Sequence, residues 1–452
     1  MLKGVKYLNN NLAKKDIFFI VLGSIVGFGS FMLPGTKFLK DAGVINTALG
    51  FILGVLSIIV IEANYRVMME EHKESGGEFS YVYKNLNETH GFIVGWFLTL
   101  AYLTIIPLNA TAIPIVAKKL LKGTLEFVHI YNIAGYDVYL SDVILSSLVI
   151  VLFAYFNIKG IRKSSKVQNI MISSLVIIVI GIFITMFFKV NKNNIVNNYI
   201  YNYEFSISEI LTIFSITPFA FIGFDAIPQL SEEFNFSAKK ASFLAIISLI
   251  TGALTYNILN ITTALIYSPQ EAIKLDWALG SAIETTLGKF GFVLLIIALA
   301  TAVAGGVNGF MISSTKLVGA IAEYNILPKK LSEPNKKGIL KNTILFISLI
   351  SLIAPWFGRQ VISWIVDMSS VGASIAYFYI SFIAYKKAKD NRNKIVSIIG
   401  TLISVIFILL LLVPLSPAWI GKEALVALII WIIVGSIVYM RFKSSQNFTT
   451  RI

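Results

Sequence analysis

Two short stretches carry residues whose types and spacing suit them to hold a ligand. The first, Gly23-Ser24-Ile25-Val26-Gly27-Phe28-Gly29, sets three glycines within seven residues of an otherwise apolar run. Each glycine weakens a helix by about 1 kcal/mol relative to alanine, so the spacing predicts a break near 26–29. The second runs from Pro218 to Pro228 and holds Gly223 and Asp225 between its prolines. Unwinding a helix inside hydrocarbon exposes backbone N–H and C=O groups, which is tolerated only against protein or a wet cavity. Those groups can then bind a ligand. A half-helix starting at Gly27, Phe28 or Gly29 presents N–H groups and a partial positive end, which suit a carboxylate. The half-helix before the break presents carbonyls such as those of Gly23 and Ile25, which suit an ammonium group. Carbonyls near Phe219 and Ile222 offer the same in the second stretch. An anion pocket beside a cation pocket matches an α-amino acid zwitterion, and glycine's missing Cβ lets it approach the backbone.

These stretches need helices that cross a membrane to position them, and the composition supplies such helices. Of 452 residues, 56% are hydrophobic and 14% charged, against about 25% charged in soluble domains. That excludes a soluble enzyme and an ordinary nucleic-acid-binding domain, and 13% aromatic residues exclude a disordered chain. About 20 apolar residues span a bilayer. Twelve candidate spans follow: 16–39, 44–69, 91–117, 139–158, 167–189, 207–232, 239–266, 288–322, 341–357, 361–386, 394–415 and 420–443. With a cytoplasmic N-terminus, inner segments hold 27 of the 38 Lys and Arg residues. By the positive-inside rule both termini are cytoplasmic, and an odd number of spans would spoil the alternation. The net charge of +14 therefore reads as orientation charge and requires no nucleic-acid or lipid-binding role.

The two interrupted segments are spans 1 and 6, the first members of two successive sets of five. Interruptions at corresponding places in two halves point to a repeat transporter with its site at the midplane. Five is odd, so the second set starts on the opposite side and the repeats are inverted. The organisation expected is a cytoplasmic segment 1–15, a first five-helix repeat 16–189, an outer loop 190–206, a second repeat 207–386, and 387–452 holding helices 11–12 and a cytoplasmic tail.

At these residues the chain resembles the amino acid–polyamine–organocation (APC) permease superfamily. Gly-Ser-Ile-Val-Gly-Phe-Gly at 23–29 is similar to its span-1 motif. Phe-Ala-Phe-Ile-Gly-Phe-Asp at 219–225, followed by Glu232-Glu233, is similar to its span-6 motif, where the acid is more usually Glu. Ser75-Gly76-Gly77-Glu78-Phe79 resembles its Gly-Gly-Glu-aromatic loop. Asn157-Ile158-Lys159-Gly160 with Val167-Gln168-Asn169 resembles its span 4–5 connection, and Asn308-Gly309-Phe310 through Leu327-Pro328 its span 8 and following loop. The resemblance runs over the whole chain in order. It implies an all-α integral membrane protein of the leucine-transporter type, with spans 11 and 12 peripheral, alternating access and no covalent chemistry. It also implies that the aromatic at Phe219 covers the substrate.

Other residues are read singly. Asp225, an acid at mid-membrane, is a costly placement; it is a proton carrier, a gate partner, a ligand for an amine, or a protonated packing residue. Glu62 and Arg66 stand one helical turn apart and predict an inner-end ion pair, gating or structural. Asp367 opens span 10 near the outer interface. Asn109, between Pro107 and Pro114, either bonds the substrate or satisfies a proline-freed carbonyl; Asn308 is read similarly. Some relatives carry a lysine in mid-span 5 in place of a sodium ion, and 167–188 has none. Gly305 and Gly306, with Thr301 a turn away, stand where sodium-dependent members of the fold place hydroxyls. Coupling to a proton, or exchange without an ion, remains.

Cysteine is absent and His72, His90 and His129 lie far apart, so no metal site or other cofactor is expected. The expected partners are an amino acid or amine, the lipid bilayer of the cytoplasmic membrane, and the proton, with the chain a monomer or homodimer. A polyamine antiporter is the alternative. A channel would need a ring of acids, and an enzyme a paired acid/base or metal cluster; neither pattern is present in the sequence.

Overall fold

A computed structural model describes residues 12–121, 125–201, 203–275 and 277–449. Lys3, Lys6 and Arg451, counted above among the inner bases, and most of segment 1–15 lie outside these residues. The described chain is helical apart from short connections and one antiparallel hairpin, His129–Ile133 with Tyr136–Tyr139.

Nine described helices are long and apolar enough to cross a membrane, and the bent pair Lys14–Ile25 with Phe28–Ala42 makes a tenth. Two shorter apolar helices, Ile207–Ala220 and Lys341–Phe357, stand where spans 6 and 9 were expected. Their shortness has local causes. The first stops because the chain unwinds from Phe221 to Asp225. The second tightens into a 3₁₀ turn at Ala354–Phe357, with Pro355 inside it and Gly358 at φ +70° behind it. The stretch Ala278–Glu323 is one helix kinked at Gly288, whose φ of 68° lies in the left-handed region that glycine enters freely. That kink falls on the expected start of span 8.

The broken helix Lys14–Ile25 is the centre of the fold. Every residue from Ile20 to Val26 is buried, against Ile161–Lys189, Ala238–Ala264 and Ala278–Glu323. Small residues let these backbones approach, as membrane helices require. An added Cβ on Gly252 would lie 2.5 Å from Ile25 Cγ2, and one on Gly305 would lie 3.4 Å from the Gly23 carbonyl oxygen. The helices Asn391–Leu412 and Gly421–Thr449 leave many apolar residues exposed, Leu402 and Ile430 among them.

Candidate substrate site

The first break lies where the glycines placed it. The helix from Lys14 ends at Ile25, Val26 leaves helical geometry, Gly27 is extended, and a new helix starts at Phe28, bent 47° from the first. What holds the break is Asn109, from the Glu88–Ala110 helix. Its Oδ1 accepts the Phe28 N–H at 3.2 Å and its Nδ2 donates to the Ile105 carbonyl at 3.0 Å. Asn109 thus caps the second half-helix from across the bundle, a role usually filled by the residue before a helix. Gly27 makes room for it, since a Cβ there would lie 2.9 Å from Asn109 Oδ1. The next N–H, that of Gly29, belongs to a first turn that offers no intrahelical acceptor. On the other side of the break, the Ile25 carbonyl lies 3.4 Å from the Tyr256 hydroxyl.

The second break touches the first. After Thr217–Ala220 the chain unwinds through Phe221–Asp225 and resumes at Ala226–Gln229. Gly223 has φ +119°, and a Cβ there would lie 2.5 Å from the Ser24 Cβ. Only glycine lets the two breaks meet. The turn is tied locally: Asp225 Oδ1 accepts the Gly223 N–H at 2.7 Å, and the Tyr102 hydroxyl donates to the Asp225 carbonyl at 3.2 Å.

Between the breaks is a small cavity of about 30 Å³, room for a water or two. Ser24, Ile25, Gly27, Phe28, Gly29, Asn109, Phe219 and Ile222 line it, with Ile105, Leu108, Tyr256 and Phe310. None of these side chains is a carboxylate or a base. From Ala220 to Ser231 every residue is buried, whereas Phe219, Ile216 and the Gly27–Gly29 stretch are half-buried and Thr36 is exposed. The cavity is sealed toward the end of the bundle that bears Lys14 and is less covered toward the other.

A family profile described as amino acid permease matches residues 14–439. The chain belongs to the amino acid permease family. It is 22% identical to the branched-chain amino acid permease BcaP of Bacillus subtilis, over 98% of this chain and 95% of the relative. It is also 22% identical, over the same shares, to a methylthioribose transporter of that organism. With human large neutral amino acids transporter small subunit 2 it shares 25% identity over 74% of this chain and 62% of the relative. Such relatives make the permease a transporter of amino acids rather than an enzyme.

Two residues expected at the permease's substrate lie elsewhere. Gly23 faces the Ile161–Lys189 helix, where its missing Cβ admits Gln168 and Ile172. Asn308 is enclosed in a polar knot. Its Oδ1 accepts from Asn157 Nδ2 at 2.9 Å and Ser164 Oγ at 2.6 Å, and its Nδ2 donates to Gln168 Oε1 at 3.0 Å. Gln168 in turn donates to the carbonyls of Phe19 and Gly305. With every polar atom bonded, Asn308 joins three helices and has nothing left for a ligand. Asn109 lines the cavity; the carbonyl it satisfies is that of Ile105, its own i−4 residue, not one freed by a proline, and its acceptor serves the break.

The expected Glu62–Arg66 ion pair does not form. Glu62 is buried and its Oε2 accepts from Ser242 Oγ at 2.5 Å, on the Ala238–Ala264 helix. Arg66 instead reaches Glu70 at 4.0 Å, one turn further out. Both choices are one turn apart in sequence, and the arginine takes the one that leaves its charge near water. Asp367 is exposed. Asp225 is fully buried but outside the cavity lining, its Oδ2 without a partner.

Glu78 was missed as a functional residue, although its Gly-Gly-Glu motif stood out. Gly76 and Gly77 have φ of 91° and 44°, and a Cβ on Gly77 would lie 2.7 Å from Gln229 Nε2. The two glycines let the loop after Ile45–Glu71 tuck under the second break. There Glu78, fully buried, accepts from Gln229 Nε2 at 2.5 Å. Burial, then the repulsion of Asp225, push the Glu78 carboxyl well above its ordinary range. The same end is tied by the Lys316–Glu233 ion pair and by Ser231 Oγ donating to the Glu74 carbonyl. Tyr256 was also missed, because a lone tyrosine in an apolar span carries no pattern.

Proposed function

We propose that this permease is a secondary carrier that moves a neutral, apolar amino acid across the cytoplasmic membrane by alternating access. The carrying observation is the pair of adjacent breaks around a lining with no carboxylate and no basic side chain. The Gly29 side of the first break supplies N–H groups for the substrate carboxylate. The carbonyls at Ile25 and around Phe219 to Ile222 supply acceptors for its ammonium. Ile105, Leu108, Ile222 and Phe310 leave only apolar surface for the side chain, with Phe219 as the cover. The cavity is too small for an amino acid, so Phe219 and its neighbours must move to admit one. A polyamine carrier would need an acid in the lining, and Asp225 is turned back onto Gly223. The names of the branched-chain and large-neutral relatives lean the same way.

In this reading the chain has twelve spans, counting 207–220 with 226–229 as a broken sixth and 341–357 as the ninth. Residues 16–189 and 207–386 are then inverted repeats, with both termini cytoplasmic. Burial of the 220–231 stretch makes this an outward-facing, inner-closed conformation. A proton is the coupling ion, carried between Asp225 and Glu78. Two buried acids with no base in the lining beside them hold a negative charge poorly, and a proton relieves that as the inner end opens.

The test is reconstitution in liposomes without ATP. Saturable uptake and counterflow of leucine, isoleucine or valine, stimulated by an inward proton gradient, is the expected result. Uptake confined to lysine or putrescine would overturn the substrate assignment, and an ohmic current would make it a channel. Unchanged proton stimulation in Asp225→Asn would remove Asp225 from the coupling.

A further inference from the structure

We propose that a basic groove at the end of the bundle bearing Lys14 binds the phosphate-bearing headgroup of an anionic membrane lipid. The groove holds about 470 Å³ and is lined by Lys159, Arg162, Lys163 and Lys166 from one loop and helix start, and by Lys337 from a turn far along the chain. Gly160 and Ile339 complete it, and a Cβ on Gly160 would lie 3.6 Å from Ile339 Cδ1, so the two segments are in contact. The turn that delivers Lys337 is built for the purpose. Asn335 Oδ1 accepts the N–H groups of Lys337 and Ile339 at 2.9 and 3.1 Å, and Gly338 has φ +75°.

Orienting the chain requires only that bases lie on one side; it does not require two loops to bring five into one groove. No acid lines the groove, and among the described residues none of the five bases forms an ion pair. Five like charges this close repel one another, and a phosphate relieves that repulsion while gaining charge-assisted hydrogen bonds. The Ile161–Lys189 helix also starts at the groove, adding its partial positive end.

The surroundings select a lipid over a free anion. Lys163 and Lys166 lie on one face of that helix, and the same face continues through Ile170 and Ile177, each 70% exposed, to Ile184. The face thus passes from basic to apolar in the way a headgroup passes into acyl chains. Tyr155, exposed on the neighbouring Leu140–Ile158 helix, lies under the Lys159 ammonium at 4.9 Å from its ring centre. Basic pockets between membrane helices on the cytoplasmic side are lipid headgroup sites, and the groove lies on that side in the orientation proposed above.

The experiment measures binding of dioctanoyl phosphatidylglycerol, dioctanoyl phosphatidylcholine and inorganic phosphate to the purified full-length permease. The probe is thermophoresis, with gel filtration to establish that each protein is folded. Phosphatidylglycerol is expected to bind far more tightly than the other two. The triple variant Arg162→Gln/Lys163→Gln/Lys337→Gln is expected to weaken it by on the order of 100-fold, about fivefold per base. A control that removes three bases elsewhere at that end, Lys389→Gln/Arg392→Gln/Lys394→Gln, is expected to stay within about twofold, less than the loss of one surface base would give. Equal loss in the control would mean diffuse attraction and overturn the proposal. Phosphate binding as tightly as the lipid would assign the groove to a soluble anion and overturn it as well. Should the triple variant not fold, Lys337→Gln alone carries the test, with about a fivefold loss expected and no loss overturning the site.

Discussion

Asn109 and Gly27 act as one unit. The amide caps a half-helix that its own chain leaves uncapped, and the glycine makes room for it. Gly27→Val puts carbons where Asn109 Oδ1 sits and takes from the Phe28 N–H the acceptor that Asn109 gives it. An unsatisfied buried donor costs about 1–3 kcal/mol, so leucine binding in a scintillation proximity assay is expected to weaken by on the order of tenfold or more. Unchanged binding would show that the break tolerates a side chain and would sink this account of the site. Glu78 permits a second prediction at this scale. Folding raises its affinity for a proton, so the folded state holds that proton at pH values where the unfolded chain has lost it. The stability this group adds is greatest near and below its ordinary value of 4.5 and declines as pH rises above that. Glu78→Gln keeps an oxygen for Gln229 and removes the titration. Thermal unfolding between pH 5 and pH 8 is expected to be flatter in the variant than in the wild type. Parallel profiles would mean that Glu78 does not titrate differently on folding.

At the scale of elements, the decisive feature is that the unwound turn of one span packs on the last turn of the helix before the other break, through Gly223 against Ser24. A second feature is the knot of Asn308, Asn157, Ser164 and Gln168, which ties Leu140–Ile158, Ile161–Lys189 and Ala278–Glu323 together behind the first break. The knot supports the site without touching it, and this separates Asn308 from Asn109. Asn308→Ala leaves three buried partners short of hydrogen bonds, a loss of about 1–3 kcal/mol. It is expected to lower the thermal midpoint while leaving leucine affinity in the surviving folded protein unchanged. A variant of normal stability with lost affinity would return Asn308 to the substrate. Both breaks were legible in the sequence because glycine and proline act on the backbone locally. The knot was not: its four side chains are separated by up to 151 residues, and each looks like an isolated polar residue in an apolar span.

For the whole molecule, the cover is asymmetric: one end of the bundle is tied by Lys316, Glu233, Ser231, Glu74, Gln229 and Glu78, while Thr36 stands open at the other. The absence of cysteine makes this directly measurable. Single cysteines at Thr36 and Ser231, probed with a membrane-impermeant maleimide in inside-out and right-side-out vesicles, are expected to differ. Thr36→Cys should label and Ser231→Cys should not until its end of the bundle opens; equal labelling of both would contradict the closed end. The sequence by itself determined the membrane class, the two breaks and the family, because composition, backbone propensity and short motifs are local properties that need no neighbours. It also placed Ile25, Gly27, Phe28, Gly29, Asn109, Phe219 and Ile222, all of which line the cavity. Only the tertiary structure set Asn308 in a hydrogen-bonded knot and Gly23 against Gln168 and Ile172, bonded Glu62 to Ser242 rather than Arg66, and buried Glu78 beneath the second break. It alone drew Lys337 beside Lys163, so that charge read along the chain as orientation becomes a groove. The physical reason is common to all of these. Which partner a polar or charged group finds inside a membrane protein depends on what the fold brings within about 3 Å of it, and sequence separation carries no information about that.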